Sequence, residues 1–144
     1  IPYRTQKPAL VVGSQGLMSS AWHWSWERHG APQLNQRFDK LTDQTMSDAE
    51  FAGWAAARSV IAAAAKTRSS QFEKVFKHLS DTTTTLDLYK GYPGSFRSWS
   101  RQLRQPILLH THNAVISTAP VEGFMHHSND LDTLGVDLQE SDCN

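Results

Sequence analysis

Near the start of the chain, the stretch VVGSQGLMSSAWHW (residues 11 to 24) concentrates side chains that could do chemistry. An apolar pair leads into a turn that contains Ser14 and Gln15 and ends at Gly16. A phosphate cradle needs a G-x-G-x-x-G series or a following Lys-Ser/Thr pair, and neither occurs here. A nucleophile elbow would read G-x-S-x-G around Ser14, but Val12 occupies the position of the first glycine. The turn therefore matches neither catalytic motif.

Histidine and aspartate side chains gather in two later stretches that could ligate a metal ion. The sequence HTH places His110 and His112 on the same face of a predicted strand, because side chains alternate along a strand. The sequence HHSNDLD brings together four more potential ligands: His126, His127, Asp130 and Asp132. No H-E-x-x-H motif and no cysteine-histidine spacing of a zinc site accompanies them. A metal site built on His126, His127 and Asp130 is therefore the weaker hypothesis.

Two capped helices are predicted in the middle of the chain. Ser47 and Glu50 form a capping box, in which each residue satisfies a free backbone N–H of the other, and a helix is expected over residues 48 to 66. Small residues surround this helix, so it is expected to pack closely on more than one side. Ser70 and Glu73 repeat the box ahead of a second, shorter amphipathic helix.

Short extended segments are predicted on both sides of these helices. The sequence ALVVG is typical of a buried strand, and PILLHTHNAVIST predicts a hairpin with Asn113 near its turn. LDLYKGYPGSFRSW predicts extended pieces around a Pro-Gly turn, and the chain after Ala119 is expected to be loop. Gly30 and Pro32 are expected to stop any helix that opens near Ser20. The residues that follow Pro32 show no clean helical or strand period.

Composition and charge limit the class of protein. The chain has 144 residues, of which 39% are hydrophobic and 19% charged, as in a soluble globular protein with one modest core. Fourteen basic residues balance fourteen acidic ones, which gives no reason to expect nucleic acid or an acidic membrane surface as a partner. The apolar run SVIAAAA is far shorter than the roughly 20 residues of a membrane-spanning helix. The chain begins at Ile1 rather than at methionine, so a missing upstream segment is expected.

The order of four stretches along the chain is distinctive: they are VVGSQGL, SDAEFAGWAAARSVIAAAAKT, SQFEKVFKHL and YKGYPGSFRSWSRQLRQPILLHTHNAVIS. In this order they resemble the C-terminal part of a type I periplasmic solute-binding protein, and the branched-chain amino-acid receptors of ABC transporters are the nearest broad family. SFRSWSRQLRQPILL and LDTLGVDLQESDC are similar to a subgroup associated with quinoprotein alcohol dehydrogenases. The resemblance covers nearly the whole chain, and its most specific part runs from LDTLG to Cys143.

The resemblance implies an α/β fold that is part of a two-lobed type I periplasmic-binding architecture with three-layer α/β/α lobes. Residues 1–144 would supply the C-terminal portion with the hinge and the final hairpin, and the upstream lobe would be missing. The implied function is that of the substrate-binding component of an ABC-type uptake system, which holds a small solute between two lobes without catalysis. The implied partners are the ligand, a membrane permease and the N-terminal part of the same protein, and the implied location is the periplasm.

The resemblance also assigns ligand-binding residues. The early turn would form a pocket wall in which Ser14, Gln15 and the backbone N–H of Gly16 offer hydrogen bonds. Trp22 would add an aromatic surface. In amino-acid-binding relatives a glutamate that matches Gln15 pairs with the ligand's ammonium group, and a neutral amide cannot neutralise that charge. A neutral or weakly polar ligand is therefore expected, and the alternative is that the glycines of this turn only close a strand.

Two further positions are singled out, Arg97 by the resemblance and Cys143 by the cysteine count. The segment FRSW departs from the acidic FD..G pattern of relatives, which leaves the role of Arg97 open. Cys143 is the single cysteine of the chain, and it is expected to form a disulfide with a segment not present here, in an oxidising compartment. The alternative for Cys143 is an inert thiol.

Two other functions remain open from the sequence. The same fold could serve as an accessory or sensory binding module linked to quinoprotein alcohol oxidation, without transport. A metal-dependent hydrolase that uses His126, His127 and Asp130 is the other alternative, and metal analysis and sensitivity to chelators would identify it. For the preferred function, no enzymatic activity and no cofactor is predicted.

Overall fold

The computed structural model describes residues 16–141, which form a mixed α/β structure, so the predicted α/β class is confirmed. The helices are Ala31–Thr42 (α1), Asp48–Thr67 (α2) and Phe72–Leu79 (α3). The strands are Met18–Ser20 (β1), Ser95–Phe96 (β2), Leu103–Arg104 (β3), Ile107–His110 (β4) and Val115–Ala119 (β5). Two short 3-10 turns, Asp130–Thr133 and Leu138–Glu140, lie in the segment that the sequence predicts as loop. Among residues 16–141, no helix combines the length and the apolar character needed to cross a bilayer.

Two small antiparallel sheets carry the strands. The larger sheet has the order β1-β4-β5, and the smaller sheet pairs β2 with β3. The β4–β5 hairpin confirms the prediction made from PILLHTHNAVIST, and its ladder shifts register between Leu109 and His110. An isolated bridge between Leu86 and Gly94 joins the extended pieces around the Pro-Gly turn. The predicted ALVVG strand lies outside the described residues.

Helix α1 is the longest element that the sequence prediction misses, and strand β1 is also missed. Pro32 lies in its first turn, where its missing N–H would have no helical partner in any case and its fixed φ suits the helix. Gly30 is the N-cap residue and adopts φ +89°, in the left-handed region that favours glycine. Within residues 16–141 no helix opens near Ser20 for Gly30 and Pro32 to stop, since Met18–Ser20 is strand β1, and these two residues instead begin α1. Leu34 and Phe38, one turn apart, form the face of α1 that packs against the core.

Helix α2 confirms its predicted range of residues 48 to 66 and extends it by one residue. Its capping box is formed: the Ser47 backbone N–H donates to Glu50 Oε2 at 2.9 Å, and the Ser47 hydroxyl donates to the same oxygen. The predicted second box that begins at Ser70 is not formed, because Gln71 is the N-cap residue of α3. The shorter amphipathic helix that the sequence predicts there is nevertheless present.

Removing the N-cap side chain of α2 is expected to destabilise the protein measurably. Ser47→Ala deletes the hydroxyl of the capping box and should lower the free energy of unfolding by about 1 kcal/mol. Ser70→Ala is the matched control, because Ser70 caps no helix, and it should change that free energy by less than about 0.5 kcal/mol. Urea unfolding followed by circular dichroism measures both variants. An equal loss in the two variants would contradict the assignment of the box to Ser47.

One row of residues attaches α2 to the rest of the molecule. Its buried positions recur every four residues: Phe51, Ala55, Ser59 and Ala63. The buried Ser59 hydroxyl donates to the Ala55 carbonyl oxygen at 2.7 Å, so it leaves no polar group unsatisfied. On another face of the helix, Val60 and Ile61 are 52% and 65% exposed. Within residues 16–141, the prediction that α2 packs closely on more than one side is therefore wrong.

The main core lies where α1, α2 and the larger sheet meet. At its centre the Trp22 ring stacks on Phe51, with ring centroids 4.4 Å apart. Leu108 of β4 is fully buried beside them. The buried members of this cluster are Trp22, Trp26, Ala31, Leu34, Met46, Phe51, Ala55, Leu86, Leu88 and Leu108. Two of the five tryptophans are therefore structural core residues, which is the commoner role of this residue type.

Candidate functional site

A cleft of about 680 Å³ opens between α1 and the first half of α2, and we call it the α1–α2 cleft. The residues that line it are Gly30, Gln33, Leu34, Arg37, Phe38, Leu41, Met46, Glu50, Trp54 and Tyr89. Small-molecule sites usually enclose about 300 to 1,000 Å³ and are lined mainly by apolar and aromatic side chains. The α1–α2 cleft meets both conditions.

Two aromatic rings form one wall of the α1–α2 cleft. The ring centroids of Trp54 and Tyr89 lie 5.3 Å apart, with a 37° angle between the ring planes. Trp54 also contacts the core ring of Phe51, with 5.6 Å between the centroids. The Arg58 guanidinium lies 6.0 Å from the centroid of the Tyr89 ring. Because the wall is held by these contacts, a bound ring or alkyl chain would meet a preformed apolar surface.

Few polar groups of the α1–α2 cleft are free to bind a ligand. The Glu50 carboxylate is already the acceptor for the Ser47 hydroxyl and backbone N–H, and these hydrogen bonds lower the pKa of Glu50. Gln33 and Arg37 lie exposed on α1, and their side chains make no hydrogen bond within residues 16–141. The cleft therefore offers an apolar interior with an amide and a guanidinium at its rim.

Trp22, the aromatic residue that the sequence assigns to the ligand site, lies in the core. Its side chain is 2% exposed, and its indole N–H donates to Asn35 Oδ1 at 2.9 Å. Its backbone N–H donates to Asp48 Oδ1 at 2.6 Å. With one face of the ring stacked on Phe51, Trp22 holds α1 and α2 together. The aromatic surface of the α1–α2 cleft comes instead from Trp54 and Tyr89.

The other predicted ligand-binding residues lie at or beyond the start of the described chain. Gly16 is exposed and has φ +81°, and beyond its chain neighbours no atom of residues 16–141 lies within 4 Å of the position that a Cβ would take. Ser14 and Gln15 lie outside the described residues, and so does Cys143 with its predicted disulfide. The pocket wall predicted at Ser14, Gln15 and Gly16 therefore stays a prediction.

Part of the signal for the α1–α2 cleft is visible in the sequence. Trp54 stands three residues after Phe51, so the helical period places both on one stripe of α2. Tyr89 gives no such signal, because it lies in an irregular segment far along the chain and has φ +59°. The contact between Trp54 and Tyr89 depends on how that segment crosses α2, which no local pattern specifies.

The residues proposed for a metal site have other partners. His126 Nε2 lies 3.3 Å from Asp137 Oδ2, and its ring contacts His127 with 4.3 Å between the centroids. The Asp130 carboxylate accepts the Tyr92 hydroxyl. In the part of the chain that the structure describes, no three His, Cys, Asp or Glu side chains are grouped so that they could hold a metal ion. The weaker hypothesis of a site at His126, His127 and Asp130 is therefore corrected, since these side chains do not converge.

His110, from the HTH stretch, packs against a second buried histidine. The rings of His23 and His110 lie 4.2 Å apart between centroids. Burial lowers the pKa of His23, and the neighbouring His110 lowers it further. His23 Nδ1 accepts the backbone N–H of Ser25 at 3.3 Å and lies 2.7 Å from its hydroxyl oxygen. His23 is therefore a neutral imidazole in a packed position at physiological pH.

A buried ion cluster gives Arg97 its role. Asp132 Oδ1 accepts the Nε–H groups of Arg97 at 2.9 Å and Arg104 at 2.7 Å, and Oδ2 accepts Arg104 Nη2 at 2.9 Å. Arg97 Nη2 also donates to the carbonyl oxygens of Leu131 and Leu134, at 3.0 and 2.6 Å. The three charged residues are 7% exposed or less. Arg97 therefore joins the SFRSW stretch to the LDTLG stretch, and its interactions are structural.

Comparisons of the chain with protein-family profiles, with curated proteins and with solved structures found no match. The resemblance to solute-binding proteins therefore stays a prediction from motifs and from their order along the chain. The functional interpretation therefore depends on the α1–α2 cleft and on the residues that line it.

Proposed function

We propose that this protein binds a small neutral or weakly polar molecule in the α1–α2 cleft and performs no chemistry on it. The observation that carries the proposal is the cleft itself, with its volume of about 680 Å³ and its aromatic wall. Trp54 and Tyr89 offer ring faces to an apolar part of the ligand. Gln33 and Arg37 at the rim offer hydrogen-bond donors to a hydroxyl or carbonyl group at its other end.

The charges around the α1–α2 cleft disfavour a free amino acid as the ligand. An ammonium group that leaves water needs a carboxylate partner, and Glu50 supplies the only carboxylate among the lining residues. That carboxylate is engaged by Ser47 at the start of α2. The Arg37 guanidinium on the same rim would also repel a cation. Small alcohols, aldehydes and related molecules suit the cleft better.

We further propose the wider role that the resemblance implies, a binding component of an ABC-type uptake system in the periplasm. Closure of two lobes on the ligand would then present a surface to the membrane permease. The order of the motifs supports this role, and the Arg97–Asp132 ion pair is consistent with it because it joins two of them. Both described sheets are antiparallel. The proposal therefore needs the parallel, three-layer sheets of a two-lobed receptor to come from chain other than residues 16–141.

Titration with benzyl alcohol, a probe with one ring and one hydroxyl group, tests binding in the α1–α2 cleft. Two-dimensional NMR of the indole N–H groups should show a saturable shift of the Trp54 signal. Trp54→Leu removes a ring face of the wall and should raise the dissociation constant about tenfold, which corresponds to a loss of about 1.4 kcal/mol of binding free energy. We therefore expect affinity for benzyl alcohol to depend on the side chain of residue 54.

Trp24→Leu is the matched control for this titration. Trp24 is 47% exposed and does not line the α1–α2 cleft, so the same substitution there should leave the dissociation constant unchanged. Circular dichroism verifies that both variants are folded. If both variants lose affinity equally, or if the Trp54 signal does not move, the probe binds elsewhere and the proposed site is wrong.

A further inference from the structure

A second cavity, of about 220 Å³, lies beside the α1–α2 cleft and shares no lining residue with it. The segments around His29 and Lys90 form part of its wall, whereas the adjacent residues Gly30 and Tyr89 line the cleft. The Trp26 indole N–H donates to the Tyr89 carbonyl oxygen at 3.0 Å and joins the two segments. We call this second site the Lys90 cavity.

Lys90 is a buried lysine that lines this cavity. The residue is 3% exposed, although every other lysine in residues 16–141 is exposed. Its Nζ donates to Gln105 Oε1 at 2.7 Å and to the Pro106 carbonyl oxygen at 2.9 Å. Both acceptors are neutral, and no carboxylate of residues 16–141 is within hydrogen-bond distance of Nζ. Two acceptors match the two N–H bonds of a neutral amine.

The surroundings of Lys90 favour its neutral, reactive form. Burial lowers the pKa of the Lys90 ammonium to about 7, although the Asp48 carboxylate opposes this shift. At pH 7 about half of the Lys90 side chains are therefore neutral, against fewer than about one in 10³ for an ordinary lysine. The Phe51 ring, whose centroid lies 4.8 Å from Nζ, would stabilise a cation formed at this nitrogen.

Two proton-carrying side chains line the same cavity. A Cβ on Gly91 would lie 2.2 Å from His29 Nε2, so the glycine, which follows Lys90 in the chain, makes room for the imidazole. The Tyr92 hydroxyl donates to the Asp130 carboxylate, and this hydrogen bond raises the pKa of Tyr92, so the phenol stays protonated. His29 and Tyr92 are exposed and Lys90 is buried, and all three line the cavity together with Pro106, whose carbonyl oxygen accepts the Lys90 hydrogen bond.

We propose that Lys90 captures a small aldehyde or ketone as a reversible imine in the Lys90 cavity. The amine nitrogen adds to the carbonyl carbon and forms the C–N bond, the C=O π electrons move to oxygen, and a proton passes from nitrogen to that oxygen. The hydroxyl then takes up a second proton and leaves as water, which gives the iminium ion. The iminium ion then loses one proton and gives the neutral imine, so one amine and one carbonyl compound yield one imine and one water.

The cavity sets the class of carbonyl compound and the role of its neighbours. A volume of about 220 Å³ is below the usual range for larger ligands, so the compound is a small one. His29 is the group that carries the protons in the addition and dehydration steps, because it lines the same cavity as Lys90. This capture is independent of ligand binding in the α1–α2 cleft and involves no oxidation or reduction.

Reductive trapping with propanal and sodium cyanoborohydride tests the proposal on the whole folded chain. At pH 7 and short reaction times, the iminium accepts a hydride from the reagent and leaves a propyl group on the lysine, which peptide mass mapping locates. Lys90 should be propylated at least about tenfold faster than the exposed Lys77. In 8 M urea, where both side chains are in water, this preference should disappear.

Three variants sharpen the trapping experiment. Lys90→Arg should abolish the fast label, and Lys77→Arg should leave the label on Lys90 unchanged. His29→Asn should slow propylation of Lys90 about tenfold or more, because it removes the proton carrier. If a variant does not fold, the ratio of Lys90 to Lys77 labelling in the folded wild-type protein still tests the proposal. Labelling of Lys90 no faster than that of Lys77 in the folded chain would overturn the proposal, and so would a preference that persists in urea.

Discussion

Asp132→Ala is expected to lower the free energy of unfolding by about 3 to 5 kcal/mol. Asp132 supplies the only carboxylate in the ion cluster, where both of its oxygens accept hydrogen bonds from Arg97 and Arg104. Removing it leaves two buried guanidinium groups without a counter-charge. Arg97 would keep its hydrogen bonds to the neighbouring carbonyl oxygens, which satisfy its N–H groups but do not neutralise its charge.

Urea unfolding at pH 7 measures this loss, and Asp39→Ala supplies the control. Asp39 is exposed on α1, and its side chain makes no hydrogen bond within the described chain. Its removal should therefore change the free energy of unfolding by no more than about 0.5 kcal/mol. Asp132→Asn keeps the shape of the side chain but not its charge, so its loss in the free energy of unfolding should be similar to that of Asp132→Ala. A loss below about 1 kcal/mol for both Asp132 variants would show that the cluster is not built as described.

The same carboxylate gives the protein an acid-sensitive component of its stability. Burial would raise the pKa of Asp132, but the hydrogen bonds and charges of Arg104 and then Arg97 outweigh it, and the net effect is a pKa below the ordinary value of 3.8. A carboxyl group with a lowered folded-state pKa stabilises the protein above its unfolded-state pKa. That stability is lost as the pH falls through the folded-state pKa. Wild type should therefore lose more stability below pH ~4 than Asp132→Asn does.

Trp22→Ala is the second substitution with a large expected effect, about 3 to 5 kcal/mol. It removes a fully buried indole, its stack on Phe51 at 4.4 Å and its hydrogen bond to Asn35. Trp22→Phe keeps an aromatic ring against Phe51 but leaves Asn35 Oδ1 without the indole donor, so a smaller loss of about 1 to 3 kcal/mol is expected. Thermal and urea unfolding measure both variants.

The Trp22 variants also separate a core role from a ligand-binding role. In the structure Trp22 does not line the α1–α2 cleft, so Trp22→Phe should bind benzyl alcohol with the affinity of wild type as long as it is folded. Trp54→Leu should behave in the opposite way, with weaker binding and a smaller loss of stability. A folded Trp22→Phe variant that loses the probe would restore the sequence prediction that Trp22 contacts the ligand.

Local patterns predicted the elements whose ends are decided by neighbouring residues. The box of Ser47 and Glu50 fixes the start of α2, and alternation in PILLHTHNAVIST fixes the β4–β5 hairpin. Pro32 misled the prediction of α1, because proline is compatible with both the end and the first turn of a helix. Which of the two applies depends on the residues after Pro32, and these show no clean period.

The candidate sites depend on contacts that no local pattern encodes. The sequence contains five tryptophans, but nothing in their spacing shows that Trp22 fills the core while Trp54 faces a cleft. Lys90 likewise looks like any surface lysine until the segment that contains Gln105 and Pro106 folds over it. Burial of a charged side chain is a tertiary property, and it is visible only once distant segments have been brought together.

The order of the larger sheet has a consequence for how the chain folds. Strand β1 pairs with β4, and all three helices lie between them in the sequence, whereas β4 and β5 form a local hairpin. Closing so long a loop is entropically unfavourable, so we expect the helices and the hairpin to form before β1 joins the sheet. Until then one edge of β4 carries unpaired backbone groups. During refolding at high protein concentration we therefore expect this edge to pair with strands of other chains, so that aggregation competes with folding.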